Sequence, residues 1–294
     1  MKTTKILLSM AITSSILIGC SKSENNSPVN INQEVKEALS EKYPEAKDVK
    51  WTNKGNYIIA EFNSPIITKV ATYKHSAWFD NTGKWHMTET DITFDQLPEA
   101  VKTSFKSSEY ATWRIEDVDK IERNSVEIVY VIEIEQVVNK IETEIDLYYS
   151  EDGILVKKVT DVDNDNDDDD YEDYIPSTPS NNISDYINKI YPNARIIDID
   201  HEDGVTEVEI IDGKIKRELI FNSANQWIRT ITEIRRSELP KNILDAILSS
   251  EYKTYEIDDI EFIQEPNSEF YLVELEKGEL EVKIKISKEG VIIK

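Results

Sequence analysis

The 294-residue sequence is poor in the residues that most enzymatic and metal sites require. Its single cysteine excludes an intramolecular disulfide framework and any metal site built from several cysteines. Its eight glycines include no glycine-rich loop of the dinucleotide-binding or P-loop type. Basic residues are outnumbered, with 34 Lys and Arg against 58 Asp and Glu, so the net charge of −24 disfavours binding to nucleic acid.

Histidine is also scarce, which leaves few candidates for acid–base chemistry. A serine-type triad needs a histidine held beside a serine and an acid, and His75, His86 and His201 lie near neither a nucleophile elbow nor a zinc-binding H-E-x-x-H motif. His75 and His86 flank a predicted hairpin and could meet on one face, but no suitably spaced carboxylate accompanies them. We therefore predict no catalytic residues and no cofactor.

What is present begins with an N-terminal targeting signal. Lys2 and Lys5 are followed by an apolar stretch that ends in Leu17-Ile18-Gly19-Cys20, an order typical of a secretory signal. Its last four residues resemble the lipobox of bacterial lipoproteins. The resemblance implies that residues 1–19 are removed and that Cys20, the only cysteine, is acylated and binds membrane lipid. Residues 20–31 then form a tether, and Ser21 after the cysteine favours the outer membrane.

The remaining sequence contains two kinds of helical unit, each present twice. The first kind has apolar residues at helical spacing, such as Val35 and Leu39, and ends in Tyr43-Pro44-Glu45-Ala46; the same pattern ends in Tyr191-Pro192-Asn193-Ala194. The second kind opens at Leu97-Pro98 or Leu239-Pro240, where proline suits the start of a helix. Each of these helices continues into Ser-Glu-Tyr.

Strands with alternating apolar and acidic residues follow each helix. One such segment places Val126, Ile128, Tyr130, Ile132 and Ile134 on one face and glutamates on the other. Such alternation indicates antiparallel sheets with one face in solvent and one covered by a helix. The predicted fold class is therefore α+β, with two tandem domains, each made of two helix-plus-antiparallel-sheet units.

These elements resemble a known family. A helix ending in Tyr-Pro-x-Ala, Trp51 a few residues on, and a later Gly83-Lys84-Trp85 turn are similar to the PepSY-like, β-lactamase-inhibitor-like lipoproteins and secreted proteins of Bacteroidota. The resemblance covers residues 32–160 and, less closely, 182–294, and it implies two β-lactamase-inhibitor-like domains. Nothing in the sequence carries β-lactamase inhibition itself.

Between the two halves lies an acidic linker, residues 161–181. Nine of the fourteen residues at 161–174 are acidic and none is basic, so this stretch repels itself and we predict a solvated spacer. Alternating carboxylates also suit weak Ca²⁺ binding, although Asn166 replaces the glycine of an EF-hand loop. The candidate Ca²⁺ ligands are Asp161, Asp163, Asp165, Asp167 and Glu172.

One predicted hairpin concentrates large aromatic residues, including Tyr73, Trp78 and Trp85. They either pack beneath the first helix or form a partly exposed patch that binds a partner, since aromatic residues dominate binding hot spots. Substituting the tryptophans by alanine discriminates between these alternatives, because the loss of a core residue unfolds the domain and the loss of a surface residue weakens binding.

These features together predict a lipid-anchored, non-catalytic binding protein of the cell envelope that contacts a protein partner through sheet surfaces. The alternatives are an envelope hydrolase with carboxylates in an inter-domain cleft, and a Ca²⁺-responsive spacer protein. The carboxylates are too numerous for the sequence to single out a catalytic pair.

Overall fold

The computed structural model describes residues 31–65, 72–138, 141–161, 175 and 177–293. These residues form four α-helices, sixteen strands and two 3₁₀ turns. The helices are α1 (Gln33–Lys42), α2 (Glu99–Ser107), α3 (Asn181–Ile190) and α4 (Lys241–Leu248). Cys20, the tether up to residue 30 and most of the acidic linker lie outside the described residues.

Domain 1 contains one antiparallel sheet in which every strand pairs with its neighbours in sequence. Its strands are β1 (Lys47–Lys54), β2 (Tyr57–Pro65), β3 (Thr72–Asp80), β4 (Trp85–Asp91), β5 (Arg114–Arg123), β6 (Val129–Val138), β7 (Ile141–Ser150) and β8 (Leu155–Asp161). Helix α1 precedes β1 and helix α2 precedes β5. The predicted helix-plus-sheet units are therefore present, and pairing of β4 with β5 joins the two units into one eight-stranded sheet.

Domain 2 repeats this architecture. Its strands are β9 (Arg195–Glu202), β10 (Val205–Asp212), β11 (Ile215–Phe221), β12 (Trp227–Glu233), β13 (Glu256–Glu265), β14 (Ser268–Lys277), β15 (Leu280–Ser287) and β16 (Ile292–Ile293). They form a second eight-stranded sheet in sequence order. The predicted α+β class and the tandem duplication are confirmed.

The repeated sequence patterns terminate the helices in the same way. In α1 the backbone N–H of Tyr43 donates to the carbonyl of Leu39 at 2.7 Å, and in α3 Tyr191 donates to Ile187 at 2.7 Å. The following proline has no N–H to continue the helix. After α2 the hydroxyl of Ser108 donates to the carbonyl of Phe105 at 2.7 Å, and after α4 Ser250 donates to Ile247 in the same way.

Each helix covers one face of its sheet. Val101 and Phe105 of α2 pack against Val118, Ile132 and Leu147 on three successive strands, and α3 and α4 pack on their strands in the same way. Val35 and Leu39 are the buried residues of α1. Burial of a side chain of this size contributes roughly 1.5–3 kcal/mol. We call the face of each sheet that packs against the helices the helix-covered face, and the opposite face the helix-free face.

The helix-free face of domain 1 is not entirely exposed to solvent, contrary to the expectation of one wet face. Ile59, Trp78 and Val131 of domain 1 belong to a buried apolar cluster that also contains Ile197 and Ile211 of domain 2. A β-bulge in β9 lies at Ile197 and changes the side on which the following residues project. The two domains are therefore packed together.

Hydrogen bonds and ion pairs reinforce this packing. The buried guanidinium of Arg123 donates to the carbonyl of Ile197 at 2.6 Å and lies 3.4 Å from a carboxylate oxygen of Asp198. The backbone N–H of Glu127 donates to the carbonyl of Ile196 at 2.8 Å. Breaking a buried pair leaves an uncompensated charge, so these contacts favour the arrangement of the two domains in which the guanidinium is paired.

The turn after the third strand of each unit carries a residue with positive φ, and in three of the four units this residue is a glycine that lies against a helix. A Cβ added to Gly153, whose φ is +80°, would lie 2.5 Å from the carbonyl oxygen of Ala100 in α2. Gly83 approaches α1 in the same way, and in domain 2 Asn225, with φ of 58°, occupies the corresponding turn. Asparagine is among the non-glycine residues that tolerate this conformation best.

Candidate functional site

The aromatic residues singled out in the sequence do not form one patch. Trp78 is only 3% exposed and lies in the apolar cluster between the domains, with its ring 5.8 Å from that of Tyr57. It packs neither beneath α1 nor on an open surface. Trp78 is therefore a core residue, as the first alternative expects, but domain 2 covers it instead of α1, which the sequence does not reveal.

Tyr73 and Trp85 lie half-buried on the helix-covered side of β3 and β4. The indole of Trp85 donates to the hydroxyl of Thr88 at 2.8 Å, and the ammonium of Lys42 lies 3.5 Å from its ring centroid. The tyrosine hydroxyl of Tyr73 accepts from Gln96 at 2.6 Å. In domain 2 Trp227 donates to Thr230 at 2.9 Å in the same manner, so the tryptophan–threonine contact is part of the repeated fold.

The histidines of domain 1 lie in different surroundings. His75 is stacked on Phe62 at 4.8 Å, and its two ring nitrogens lie 2.7 Å from the hydroxyl of Ser64 and 2.9 Å from that of Thr90. His86 instead contacts Tyr57 and the carboxylate of Asp80. Burial lowers the pKa of His75, which favours a neutral ring. In a serine-type triad one ring nitrogen of the histidine contacts the serine and the other contacts a carboxylate. In this protein the second nitrogen contacts the hydroxyl of Thr90, so hydroxyl groups flank His75 on both sides.

The junction between the domains contains a small cavity. It is lined by apolar residues and by Arg123, Lys157, Asp198 and Glu209, and it has a volume of about 20 Å³. This space suits about one water molecule and is far smaller than a sugar ring or peptide. Burial raises the pKa of Asp198, and the neighbouring Arg123 opposes that effect. Asp198 and Glu209 therefore share this small cavity with two basic side chains.

A second concentration of carboxylates lies on the helix-free face of domain 1. It crosses four adjacent strands, and we call it the acidic stripe: Asp91 of β4, Asp117 and Asp119 of β5, Glu133 of β6 and Asp146 of β7. The register places Asp91 opposite Asp119, Asp117 opposite Glu133, and Glu133 opposite Asp146. Like charges directly opposite each other on neighbouring strands destabilise a sheet.

The environment of the acidic stripe raises the proton affinity of two of its members. Burial, followed by repulsion from Glu89 and Asp117, raises the pKa of Asp119 to about 8. Burial and repulsion from Asp146 raise the pKa of Glu133 to about 7. Lys74 lies 3.5 Å from Asp91 at one end of the stripe. Both groups can therefore hold a proton near neutral pH.

Domain 2 carries a modified copy of the stripe. Register matches Asp91 with Glu233, Asp119 with Glu261 and Glu133 with Glu274, whereas Lys283 occupies the position of Asp146. The ammonium of Lys283 lies 2.8 Å from Glu274. The opposite-charge pair of Glu274 and Lys283 thus replaces the like-charge pair of Glu133 and Asp146. The fold therefore does not require an acidic residue at the position of Asp146.

The sequence alone does not reveal this stripe, because alternating strands are expected to carry acidic residues on their solvent-facing side. A comparison of the two repeats position by position does reveal the stripe, because Asp146 aligns with Lys283. The Ca²⁺ candidates Asp163, Asp165, Asp167 and Glu172 lie outside the described residues, and Asp161 ends β8. Within the described ranges, no group of three or more His, Cys, Asp or Glu side chains is arranged to hold a metal ion.

None of the helices that the structure describes combines the length and the apolar character needed to cross a membrane.

Comparison with known proteins assigns the family. A sequence model described as "Putative beta-lactamase-inhibitor-like, PepSY-like" matches residues 67–157 and again residues 204–294. The two matches together cover more than half of the chain. The chain belongs to the PepSY-like family. The resemblance deduced from the helix and turn motifs is thereby confirmed, and both domains are PepSY-like repeats.

Solved structures similar to these PepSY-like repeats come from Bacteroides. A BLIP-like protein from Bacteroides fragilis NCTC 9343 is 31% identical with a TM-score of 0.41, over 46% of this chain and 89% of that protein. A DUF2874 family protein from Bacteroides ovatus ATCC 8483 is 28% identical with a TM-score of 0.39, over 44% and 86%. No curated protein matches the chain.

Proposed function

We propose that this PepSY-like chain is a non-catalytic binding protein of the cell envelope, anchored by lipid on Cys20, that recognises a protein partner through a sheet surface. The anchoring rests on the lipobox-like Leu17-Ile18-Gly19-Cys20 and on the absence of any other cysteine from the sequence. The lipobox resemblance implies a diacylglycerol on the thiol and an acyl chain on the new α-amine of Cys20, and these three chains exceed what stable membrane attachment requires. The outer membrane is the proposed location.

The observation that carries the binding role is the form of the helix-free face of domain 1. Part of this face is apolar and is closed by domain 2, and the remainder presents charged side chains on four adjacent strands. A sheet of this kind offers a broad contact area and places side chains at fixed spacings of about 4.8 Å between strands. Such a surface suits a protein partner rather than a small substrate.

The same geometry disfavours the hydrolase alternative. That alternative needs two carboxylates in a cleft that admits a substrate, with separations of about 5–10 Å. The carboxylates at the domain junction, Asp198 and Glu209, border a cavity of about 20 Å³. Arg123 and Lys157 line the same cavity and compensate their charge.

The anchoring is tested by fractionating cells that express the chain with Cys20→Ser. We expect the wild-type protein in the membrane fraction and the variant in the soluble envelope fraction. Equal membrane association of both proteins would exclude lipid on Cys20 as the anchor.

The binding role is tested with residues 21–294 as bait in detergent-treated envelope extract. We expect one protein to be retained in near-stoichiometric amount and to be displaced by excess soluble bait. Retention of the same protein by heat-unfolded bait, or by bait whose domains have a scrambled sequence, would show that the interaction does not depend on the folded sheets.

A further inference from the structure

The acidic stripe of domain 1 costs stability that the fold does not demand. Each of its three like-charge pairs lies directly across neighbouring strands, where opposite charges would contribute up to about 1 kcal/mol instead. Domain 2 shows that the same position in the same fold accepts a lysine, Lys283, which pairs with Glu274. Residues that reduce the stability of a scaffold are characteristic of binding surfaces.

A second, independent observation points to a ligand at the stripe. Asp119 is only 7% exposed, and its Oδ1 atom accepts no hydrogen bond within the part of the chain that the structure describes. Buried carboxylate oxygens are almost always paired, because an unpaired one loses its hydration without compensation. This oxygen lies on the helix-free face between the positions of Asp91 and Glu133, so it is an acceptor within the stripe.

We propose that the acidic stripe of domain 1 is the docking surface for a cationic segment of a partner protein, whose lysine or arginine side chains donate to Asp119, Asp91 and Glu133. This proposal rests on the binding role proposed above and names the chemistry of the partner. Guanidinium and ammonium groups present several donors and form charge-assisted hydrogen bonds with carboxylates. A segment lying across the strands would meet one carboxylate on each of them.

A metal ion fits this surface less well than a cationic side chain. Metal binding needs ligand oxygens that converge within about 2.6 Å of one point. The stripe is linear and extends over four strands, and the described residues contain no cluster of three or more groups suited to a metal. Charge complementarity over a line of carboxylates instead matches an extended chain with spaced basic residues.

The charged groups that face Asp119 come from several strands of the sheet. They are Glu89 and Asp91 of β4, Asp117 of β5, Glu133 of β6 and, through Asp91, Lys74 of β3. Glu133 in turn faces Asp146 and Glu144 of β7 and Asp117 and Glu116 of β5. Almost all of them are acidic, so Asp119 and Glu133 retain protons near pH 7. A bound cation favours their ionised forms, and docking therefore releases protons.

The test is isothermal titration calorimetry at pH 7 with a ten-residue peptide that alternates arginine and serine, in two buffers of different ionisation enthalpy. We expect release of about one proton per bound peptide.

The chain supplies a matched pair of variants. Asp146→Lys introduces the residue type that domain 2 has at this position, where Lys283 pairs with Glu274. Glu45→Lys makes the same charge change on an exposed residue after α1. We expect Asp146→Lys to weaken peptide binding at least tenfold and to reduce proton release, because the introduced ammonium lies opposite Glu133 as Lys283 lies opposite Glu274. We expect Glu45→Lys to change affinity less than threefold. Both retain the acidic linker, so its contribution cancels. Circular dichroism melting verifies that each variant folds, and Glu133→Gln replaces Asp146→Lys if it does not.

Three results would overturn the proposal. Equal affinities of the two lysine variants would locate binding elsewhere, and binding without proton release would exclude Asp119 and Glu133 as the contacts. Displacement of the peptide by equimolar Ca²⁺ would make the stripe a metal site. In each of these cases the experiment with envelope extract still tests the proposed function separately. The proposed binding to a protein partner would stand if the Asp146→Lys and Glu45→Lys baits both retained the same protein.

Discussion

Replacement of Asp119 by asparagine should stabilise the protein increasingly as the pH rises. Burial raises the pKa of this carboxyl from 3.8 to about 8 in the folded state. The folded protein therefore binds a proton more tightly than the unfolded chain, and its stability falls as the pH rises from about 4 towards 8. Asparagine is neutral in both states and removes this dependence, with little change in shape.

The size of the expected stabilisation by Asp119→Asn follows from the pKa shift of Asp119. Each pKa unit corresponds to about 1.4 kcal/mol, so the difference in unfolding free energy between Asp119→Asn and the wild type should grow by on the order of 4 kcal/mol between pH 4 and pH 7. Urea denaturation at closely spaced pH values, followed by tryptophan fluorescence, measures that difference. Asp258→Asn on β13 is the control, because this carboxylate is exposed and its removal should give a nearly constant difference.

A constant difference for Asp119→Asn as well would refute the reasoning. It would mean that Asp119 is ionised in the folded protein and that its charge is compensated, in conflict with its burial among carboxylates.

Three further substitutions test other parts of the structure. Replacing Arg123 by Met removes the donors at the domain junction and leaves Asp198 without its partner; we expect a loss of about 3–5 kcal/mol and two separate urea transitions in place of one. Gly153→Ala should lower the melting temperature more than Gly213→Ala, because both positions have positive φ but only the first would force a Cβ against a helix. Trp78→Ala should cost about 3–5 kcal/mol as judged by denaturant unfolding, and an unchanged stability would contradict its burial between the domains.

The helices and their ends were predictable from the sequence because local chemistry decides them. Apolar residues at helical spacing, such as Val35 and Leu39, are the residues buried in α1, and the proline after Tyr43 ends the helix. The strands after each helix also follow the alternation, with Tyr130, Ile132 and Ile134 on the helix-covered face. Repetition of these patterns was sufficient to predict the duplicated α+β fold.

The packing of the domains was not predictable in the same way. Ala77, Trp78 and Phe79 are consecutive and all buried, which departs from the alternation of a sheet with one wet face. This run indicates burial on both faces, but it does not identify what covers the second one. The covering residues, Ile197 and Ile211, lie beyond the acidic linker, and a β-bulge at Ile197 breaks the pattern there.

The acidic stripe illustrates a different limit. In a chain with 58 acidic residues, a single aspartate such as Asp119 carries no distinctive sequence signal. Its significance comes from the register that sets Asp91 and Glu133 on either side of it and from its burial, which are properties of the assembled sheet.

The order of the strands has a consequence for how this chain acquires its structure. Every strand of both sheets pairs with the segment immediately before or after it, so the loops closed during folding are short and the associated entropy loss is small. Each helix and the four strands after it can therefore assemble in the order in which the chain emerges from a ribosome or a translocation channel. Engagement of Arg123 with the carbonyl of Ile197 has to wait for β9, and it makes the joining of the two halves a late step.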